Sequence, residues 1–137
     1  MNYLLDTNVC IALINGEPLP VRLRFKEALD DGHELFVSSV VMFELWYGVS
    51  KSVHRQSNTG LLEKFLSGPI KELPFGAEDA RRAGLLRADL ESIGRPIGAY
   101  DLLIAGQALQ QKMILVTANL REFSRIKSLT CEHWGRP

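Results

Sequence analysis

Cysteine is nearly absent from this chain of 137 residues: Cys10 and Cys131 stand at opposite ends and form no C-x-x-C pair. The three histidines, His33, His54 and His133, are scattered, and none has zinc-ligand spacing with a cysteine or another histidine. A zinc ribbon, a disulfide scaffold and a dithiol redox centre are thereby excluded, and both thiols are expected to be reduced, in a cytoplasmic setting. The opening Met1-Asn2-Tyr3-Leu4-Leu5-Asp6 lacks the basic and long apolar regions of a secretory leader. Asp, Glu, Lys or Arg interrupts each apolar segment before it approaches the ~20 residues of a membrane span.

An excess of either charge is also missing, since sixteen basic residues balance sixteen acidic ones. A strongly basic chain would announce nucleic acid through counterion release at phosphates, so the balance argues mildly against such a partner. That objection weakens if several acids cluster around a cation that neutralises them locally. No internal repeat, low-complexity tract or linker divides the chain, so residues 1–137 are expected to form one domain. Its 46% hydrophobic residues and its length suffice for a core without disulfides or a structural metal.

The pattern alternates short apolar strands with helices. Asn2 to Leu5 reads as a strand running into an N-cap signal at Asp6-Thr7-Asn8, followed by a helix from Val9 to Ile14 that Asn15-Gly16 ends. Pro18 to Asp31 reads as an amphipathic helix with Val21, Phe25, Ala28 and Leu29 inward. A strand over Glu34 to Val37, a helix over Val40 to Lys51 capped by Ser38-Ser39, and a helix over Thr59 to Leu66 follow. Further on come a strand at Ile70 to Leu73, a helix over Glu78 to Ser92, a loop at residues 94–98 and a helix over Ala99 to Gln111. Ile114 to Thr117 has the uninterrupted apolar character of a strand buried on both faces, and a short strand is placed near Thr130 to Glu132. This order predicts an α/β fold with a central, mostly parallel sheet and helices on both faces. In such sheets ligands bind outside the carboxyl ends of the strands.

Three acids stand where that rule directs attention. Asp6 ends the first strand; it either caps the next helix or, with Thr7 and Asn8 available for capping, is left free for chemistry. Glu44 lies in Val40-Val41-Met42-Phe43-Glu44-Leu45-Trp46-Tyr47, a helix apolar almost all the way round and therefore expected to be buried. A buried carboxylate needs an arginine from elsewhere or a metal ion, and nothing one turn away on its own helix can pair it. Asp101 opens the helix after the 94–98 loop, where it either complements the helix dipole or, with the small residues Ala105 and Ala108 on its face, leaves room for an ion or substrate. A fourth element, Thr117-Ala118-Asn119-Leu120-Arg121-Glu122-Phe123, brings oxygen donors to another strand end, although ordinary turn residues would look the same. An all-oxygen set of this kind suits Mg²⁺ or Mn²⁺ and not zinc or copper, and phosphodiester hydrolysis is the chemistry such ions serve.

These segments resemble the four motifs of PIN-domain nucleases. The first two are Leu4-Leu5-Asp6-Thr7-Asn8 and Ser38-Ser39-Val40-Val41-Met42-Phe43-Glu44-Leu45-Trp46-Tyr47-Gly48. The others are Gly94 to Asp101 and Leu115 to Phe123, in the same order and spacing along essentially the whole chain. The resemblance is nearest to the VapC toxins of bacterial toxin–antitoxin systems, of the enteric type. It implies a Mg²⁺- or Mn²⁺-dependent endoribonuclease with Asp6, Glu44 and Asp101 as metal ligands, working as a homodimer and restrained by a VapB antitoxin. It further implies tRNA as substrate, with the initiator tRNA anticodon loop as the site of cleavage. The chain departs from the pattern at Asn119, where many PIN domains carry aspartate, and Glu122 is the nearby acid that could restore the charge.

Thr117, Asn119, Glu122 and Ser39 are expected to orient the ligands or the attacking water. Arg95, Lys51 and Arg55, with His54, Arg81, Arg82 and Arg87 behind them, are candidates for phosphate contacts, although helical arginines also read as a solvated face. Trp46 and Tyr47 could stack on bases or pack in a core or dimer contact. Two alternatives use the same acids differently. A haloacid-dehalogenase-like phosphatase would need an aspartate where Asn8 stands, and a degenerate PIN scaffold would act by binding alone.

Overall fold

The computed structural model describes residues 1–135. Its strands are β1 (Asn2–Leu5), β2 (Glu34–Ser38), β3 (Lys71–Leu73), β4 (Ile114–Val116) and β5 (Cys131–Glu132). They form one sheet in the order β3-β2-β1-β4-β5, every neighbouring pair parallel. The helices are α1 (Thr7–Asn15), α2 (Leu19–Asp30), α3 (Ser39–Lys51), α4 (Arg55–Leu66), α5 (Ala77–Ser92), α6 (Ala99–Gln110) and α7 (Leu120–Phe123). Tyr3, Leu4 and Leu5 of β1 and Leu115 and Val116 of β4 are buried in succession, as central strands covered on both faces require.

The route of the chain places the site. From β1 it steps outward to β2 and β3, then returns across the sheet to β4 on the other side of β1 and continues to β5. Right-handed crossovers put α1 to α4 on one face and α5 to α7 on the other. The reversal falls between β1 and β4, so their carboxyl ends diverge into helices on opposite faces and open a crevice there. Asp6 follows β1 directly, and Thr117 follows β4.

Several elements differ from expectation for local reasons. The helix expected from Thr59 begins at Arg55, because Asn58 N donates to His54 O and closes a turn through a polar stretch that carries no apolar stripe. The segment after β4 turns through a short helix, α7, with Phe123 as its buried anchor. The largest departure is α3. Only Val41 and Leu45 are buried, and Phe43, Trp46 and Tyr47 stand exposed on a helix whose composition reads as buried all round. Among the described residues no helix is long and apolar enough to cross a membrane.

The position of α6 is fixed by a close crossing with α5. At Gly106 a Cβ would fall 2.7 Å from both Cα and Cβ of Ala83, so the two backbones meet with no space for a side chain. Asp79 of α5 is buried and accepts hydrogen bonds from Gly76 N, Gln107 Nε2 and Gln111 Nε2, which ties the same pair of helices by polar contacts. Gly106→Ala is therefore expected to cost about 1–3 kcal/mol by overpacking. Urea denaturation should show a lower midpoint with an unchanged slope, and an unchanged midpoint would refute the close-crossing account.

Candidate active site

Asp6 is held from both sides of the crevice. Its backbone N–H donates to Val116 O at 2.9 Å, a hydrogen bond to β4 directly after β1. Its Oδ1 accepts from Thr7 N at 2.8 Å as the N-cap of α1, and its Oδ2 accepts from Thr117 Oγ1 at 2.7 Å. Capping thus falls to Asp6 itself and not to Thr7 or Asn8, and the carboxylate is oriented by that cap. The Thr7 side chain, free of capping, donates its hydroxyl to Glu44 Oε1 at 3.0 Å. Glu44 is half-buried, on a helix that is itself half-buried, so its partner is a neutral hydroxyl from α1. Residue composition hides this contact because the partner lies 37 positions away.

The opposite wall is built from the loop before α6 and from α7. Glu122 Oε1 accepts from Gly98 N at 2.6 Å and its Oε2 accepts from Asn119 Nδ2 at 3.0 Å. Burial pushes the Asp101 carboxyl up to about 7, reinforced by the charges of Asp6, Glu122 and Glu44. Burial also raises Asp6, against the opposing hydrogen bonds of Thr117 and Thr7. The Gly98 N–H holds Glu122 below the ordinary glutamate range, and Arg125 contributes to that lowering. Arg125 also donates to Pro96 O at 2.6 Å and so braces the loop before Asp101. Neither Thr7 nor Arg125 stands out in the sequence, since a threonine in a capping run and an arginine past a turn have no chemistry-bearing spacing.

Asp6, Glu44, Asp101 and Glu122 therefore meet at the carboxyl edge of the sheet, with Thr117 and Asn119 between them. The fourth corner is shared. Glu122 carries the charge, and Asn119 donates its amide to Glu122 while its own N–H donates to Thr117 Oγ1 at 3.0 Å. Ser39 does not join them: its Oγ accepts from Phe75 N and tethers the segment before α5. Ala105 and Ala108 are fully buried and pack into the core, so the open side of Asp101 faces Gly98 and Glu122 and not along its helix. Lys51, His54, Arg55 and Arg95 are exposed; Lys51 lies two turns beyond Glu44 on α3, with its ammonium 5.6 Å from the Tyr47 ring centre. Arg87 is occupied by an ion pair with Glu91.

The ion pairs among the described residues join Arg24 to Glu132, Lys71 to Glu34 and Arg87 to Glu91, and none reaches the four clustered acids. Their donors are all oxygen, and their mutual repulsion would be relieved by a hard divalent cation. Among the described residues no three acids, histidines or cysteines stand within common reach of one ion.

A family model for the PIN domain matches residues 3–129. The chain belongs to the PIN-domain family. Within it the chain falls among the VapC proteins: it is 41% identical to the tRNA(fMet)-specific endonuclease VapC of Shigella flexneri, over 98% of this chain and 99% of that one. It is 40% identical to Ribonuclease VapC2 of Rickettsia felis, over 99% of this chain and 100% of that one. Among solved structures it is similar to VapBC2 from Rickettsia felis bound to a promoter DNA fragment. The TM-score is 0.91 at 38% identity, covering 98% of this chain and 99% of that one.

The raised Asp101 carboxyl carries a stability signature. A carboxyl whose folded pKa lies above its unfolded value adds stability that is complete below the unfolded value, about pH 4, and is lost as pH rises through about 7. With chelator present, Asp101→Asn should raise the thermal midpoint at pH 8 and leave it nearly unchanged at pH 4. Equal shifts at both pH values would contradict the assigned titration.

Proposed function

We propose that this chain is a Mg²⁺- or Mn²⁺-dependent endoribonuclease, the toxin of a type II toxin–antitoxin pair, which cleaves tRNA and so inhibits translation. The observation that carries the reading is the gathering of Asp6, Glu44, Asp101 and Glu122 at the sheet's switch point, none of them in an ion pair among the described residues. Asp6, Asp101 and Glu44 would hold the ion, with Glu122 and Asn119 at the fourth corner. Bound there, the ion would supply Lewis-acid stabilisation of the charge on a phosphodiester and lower the pKa of an attacking water.

The chain's own residues prepare that chemistry. Thr117 and the Thr7 N–H lock both oxygens of Asp6, and the Thr7 hydroxyl fixes one oxygen of Glu44, so two ligands are oriented before any ion binds. Asp101 exchanges its proton with solvent near neutrality, which leaves the carboxylate available to a cation. The first turn of α1 gives the Thr7 N–H to Asp6, which offsets repulsion among the acids. Lys51, Arg55 and Arg95, all exposed, are the cations we assign to phosphate contacts. The charge that Asn119 does not contribute is present at Glu122, which favours a catalyst over a binding scaffold.

Substrate and partner come from the relatives. The Shigella flexneri protein is named for tRNA(fMet), and the solved relatives include VapBC complexes. On that basis the initiator tRNA anticodon loop is the proposed target, a VapB-type antitoxin the proposed restraint, a homodimer the working form and the cytoplasm its location.

Purified without antitoxin, the chain should cut total tRNA in Mg²⁺ or Mn²⁺ and stop in EDTA. Asp6→Asn should abolish cleavage while circular dichroism stays native; undiminished cutting by that variant would refute the assignment. Thr7→Val should lower activity or Mn²⁺ affinity about 10–100-fold by freeing Glu44 to rotate. Titration calorimetry measures the affinity, and an unchanged value together with unchanged turnover would remove Thr7 from the site.

A further inference from the structure

The loop at residues 94–98 carries Arg95 and leads into Asp101, yet little packing holds it. Gly94, Arg95, Pro96 and Gly98 are exposed, and Ile97 alone is half-buried. Beneath the loop, between α5 and the start of α6, lies a hollow of about 200 Å³ lined by Leu90, Pro96, Ile97, Ala99 and Leu102. The loop's first residues are tied back to α5, since Gly94 N donates to Glu91 O at 3.1 Å and Arg95 N to Leu90 O at 2.9 Å. At its far end α6 starts without a side-chain cap. Between Arg95 N and Gly98 O, the backbone hydrogen bonds among the described residues lead to one place. Pro96 O accepts from Arg125 Nη1 at 2.6 Å, and Gly98 N donates to Glu122 Oε1 at 2.6 Å.

Both partners belong to one turn of the chain. Arg125 N donates to Glu122 O at 3.2 Å, so the turn carries on past α7 and its side chains three positions apart lie on a common side. Phe123 and Ile126, also three apart, are buried and anchor that turn in the core. We propose that Arg125 is a positioning residue of the acid cluster: with Glu122 it clips the 94–98 loop to α7 and so sets where Asp101 stands toward Asp6 and Glu44. The inference rests on the nuclease reading for what the cluster binds, but not for the clip itself. Gly98 transmits the effect. A Cβ there would stand 3.6 Å from Glu122 Oε1 and 3.7 Å from Asp101 Oδ2, so both carboxylates converge on its backbone. The close contact at Gly106 fixes α6 more than a turn beyond Asp101, which leaves the first turn to follow the loop. Arginine suits the task, since its guanidinium stays charged and its bond to a carbonyl is charge-assisted. A direct phosphate contact is the competing role for Arg125, but its Nη1 is already spent on Pro96 O.

The test compares the full chain with Arg125→Met, which keeps the length of the side chain and removes its donors, and with Arg125→Lys, which keeps a donor. Amide exchange of Gly98, followed by NMR in EDTA, reports the clip without any ion. It should quicken about tenfold in Arg125→Met. Calorimetry should show Mn²⁺ binding weakened about tenfold in the same variant. Arg125→Lys should recover part of both losses. Unchanged Gly98 exchange would overturn the clip, and faster exchange with unchanged Mn²⁺ affinity would overturn its hold on Asp101. A lower thermal midpoint with both readouts intact would leave Arg125 a merely structural role and overturn the proposal too. So would weaker binding of an oligoribonucleotide in EDTA with exchange and Mn²⁺ affinity intact, which would assign Arg125 to a phosphate. Lys127→Met removes a neighbouring exposed charge, and an equal loss of Mn²⁺ affinity there would reassign the effect to charge alone. If the unaltered chain neither binds Mn²⁺ nor cuts tRNA, the nuclease reading fails, and Gly98 exchange still decides the clip.

Discussion

Four gathered carboxylates, none of them in an ion pair among the described residues, are the constraint around which the carboxyl edge of this sheet is organised. Like charges at short range in a partly desolvated site would drive the acids apart or protonate them. The structure does some of each. Burial and its neighbours raise the Asp101 carboxyl to about 7, and oxygens of Asp6, Glu44 and Glu122 accept from the Thr7 and Thr117 hydroxyls, the Thr7 and Gly98 N–H groups and the Asn119 amide. Neutral donors stabilise each carboxylate without cancelling its charge, so the negative potential survives for a ligand to use.

The topology makes this arrangement easy to hold. β1 and β4 are neighbours in the sheet yet over a hundred residues apart in sequence, and their carboxyl ends turn into helices on opposite faces. One backbone bond from Asp6 to Val116 and one side-chain bond from Thr117 to Asp6 join the two ends. The acids then ride on rigid elements: Asp6 and Glu122 at helix starts, Glu44 within α3 and Asp101 on a helix that Gly106 presses against Ala83. Small displacements are resisted by packing far from the acids, and this is how a fold with short strands can hold a polar cluster steady.

Strand ends are legible in the sequence because uninterrupted apolar runs stop abruptly at polar residues, as at Leu5-Asp6 and Val116-Thr117. The parallel α/β class follows from the alternation of such runs with helices, and the motif resemblance agrees with the family match over residues 3–129. Glu44 stands out in the sequence on the wrong ground. Its helix is apolar all round, but apolarity states what a surface would gain from cover and not whether this chain provides it, and α3 leaves Phe43, Trp46 and Tyr47 outside. Long-range polar contacts are the other gap: Thr7 with Glu44, Gly98 with Glu122 and Arg125 with Pro96 join residues 24 to 37 positions apart. Periodicity reports faces of single elements, so contacts between elements leave no trace in it. Asp79, buried between α5 and α6 and bonded to two glutamines, is hidden for the same reason.

Net neutrality is the feature most at odds with binding a polyanion, and the distribution of charge resolves it. Four of the acids are concentrated where a cation would neutralise them, which leaves basic residues in excess over the remaining acids, Lys51, Arg55 and Arg95 among them on the surface. Lys51 already stands over the Tyr47 ring, so charge and aromatic surface occur together along α3 as it leads away from Glu44. A substrate reaching such a site is drawn only weakly from a distance, since long-range attraction scales with net charge. Selection must then occur at contact, through what the acids, the exposed rings and a few cations engage at once. A folded RNA that presents a strained, unstacked loop satisfies those demands better than a regular duplex, whose bases are already stacked on one another.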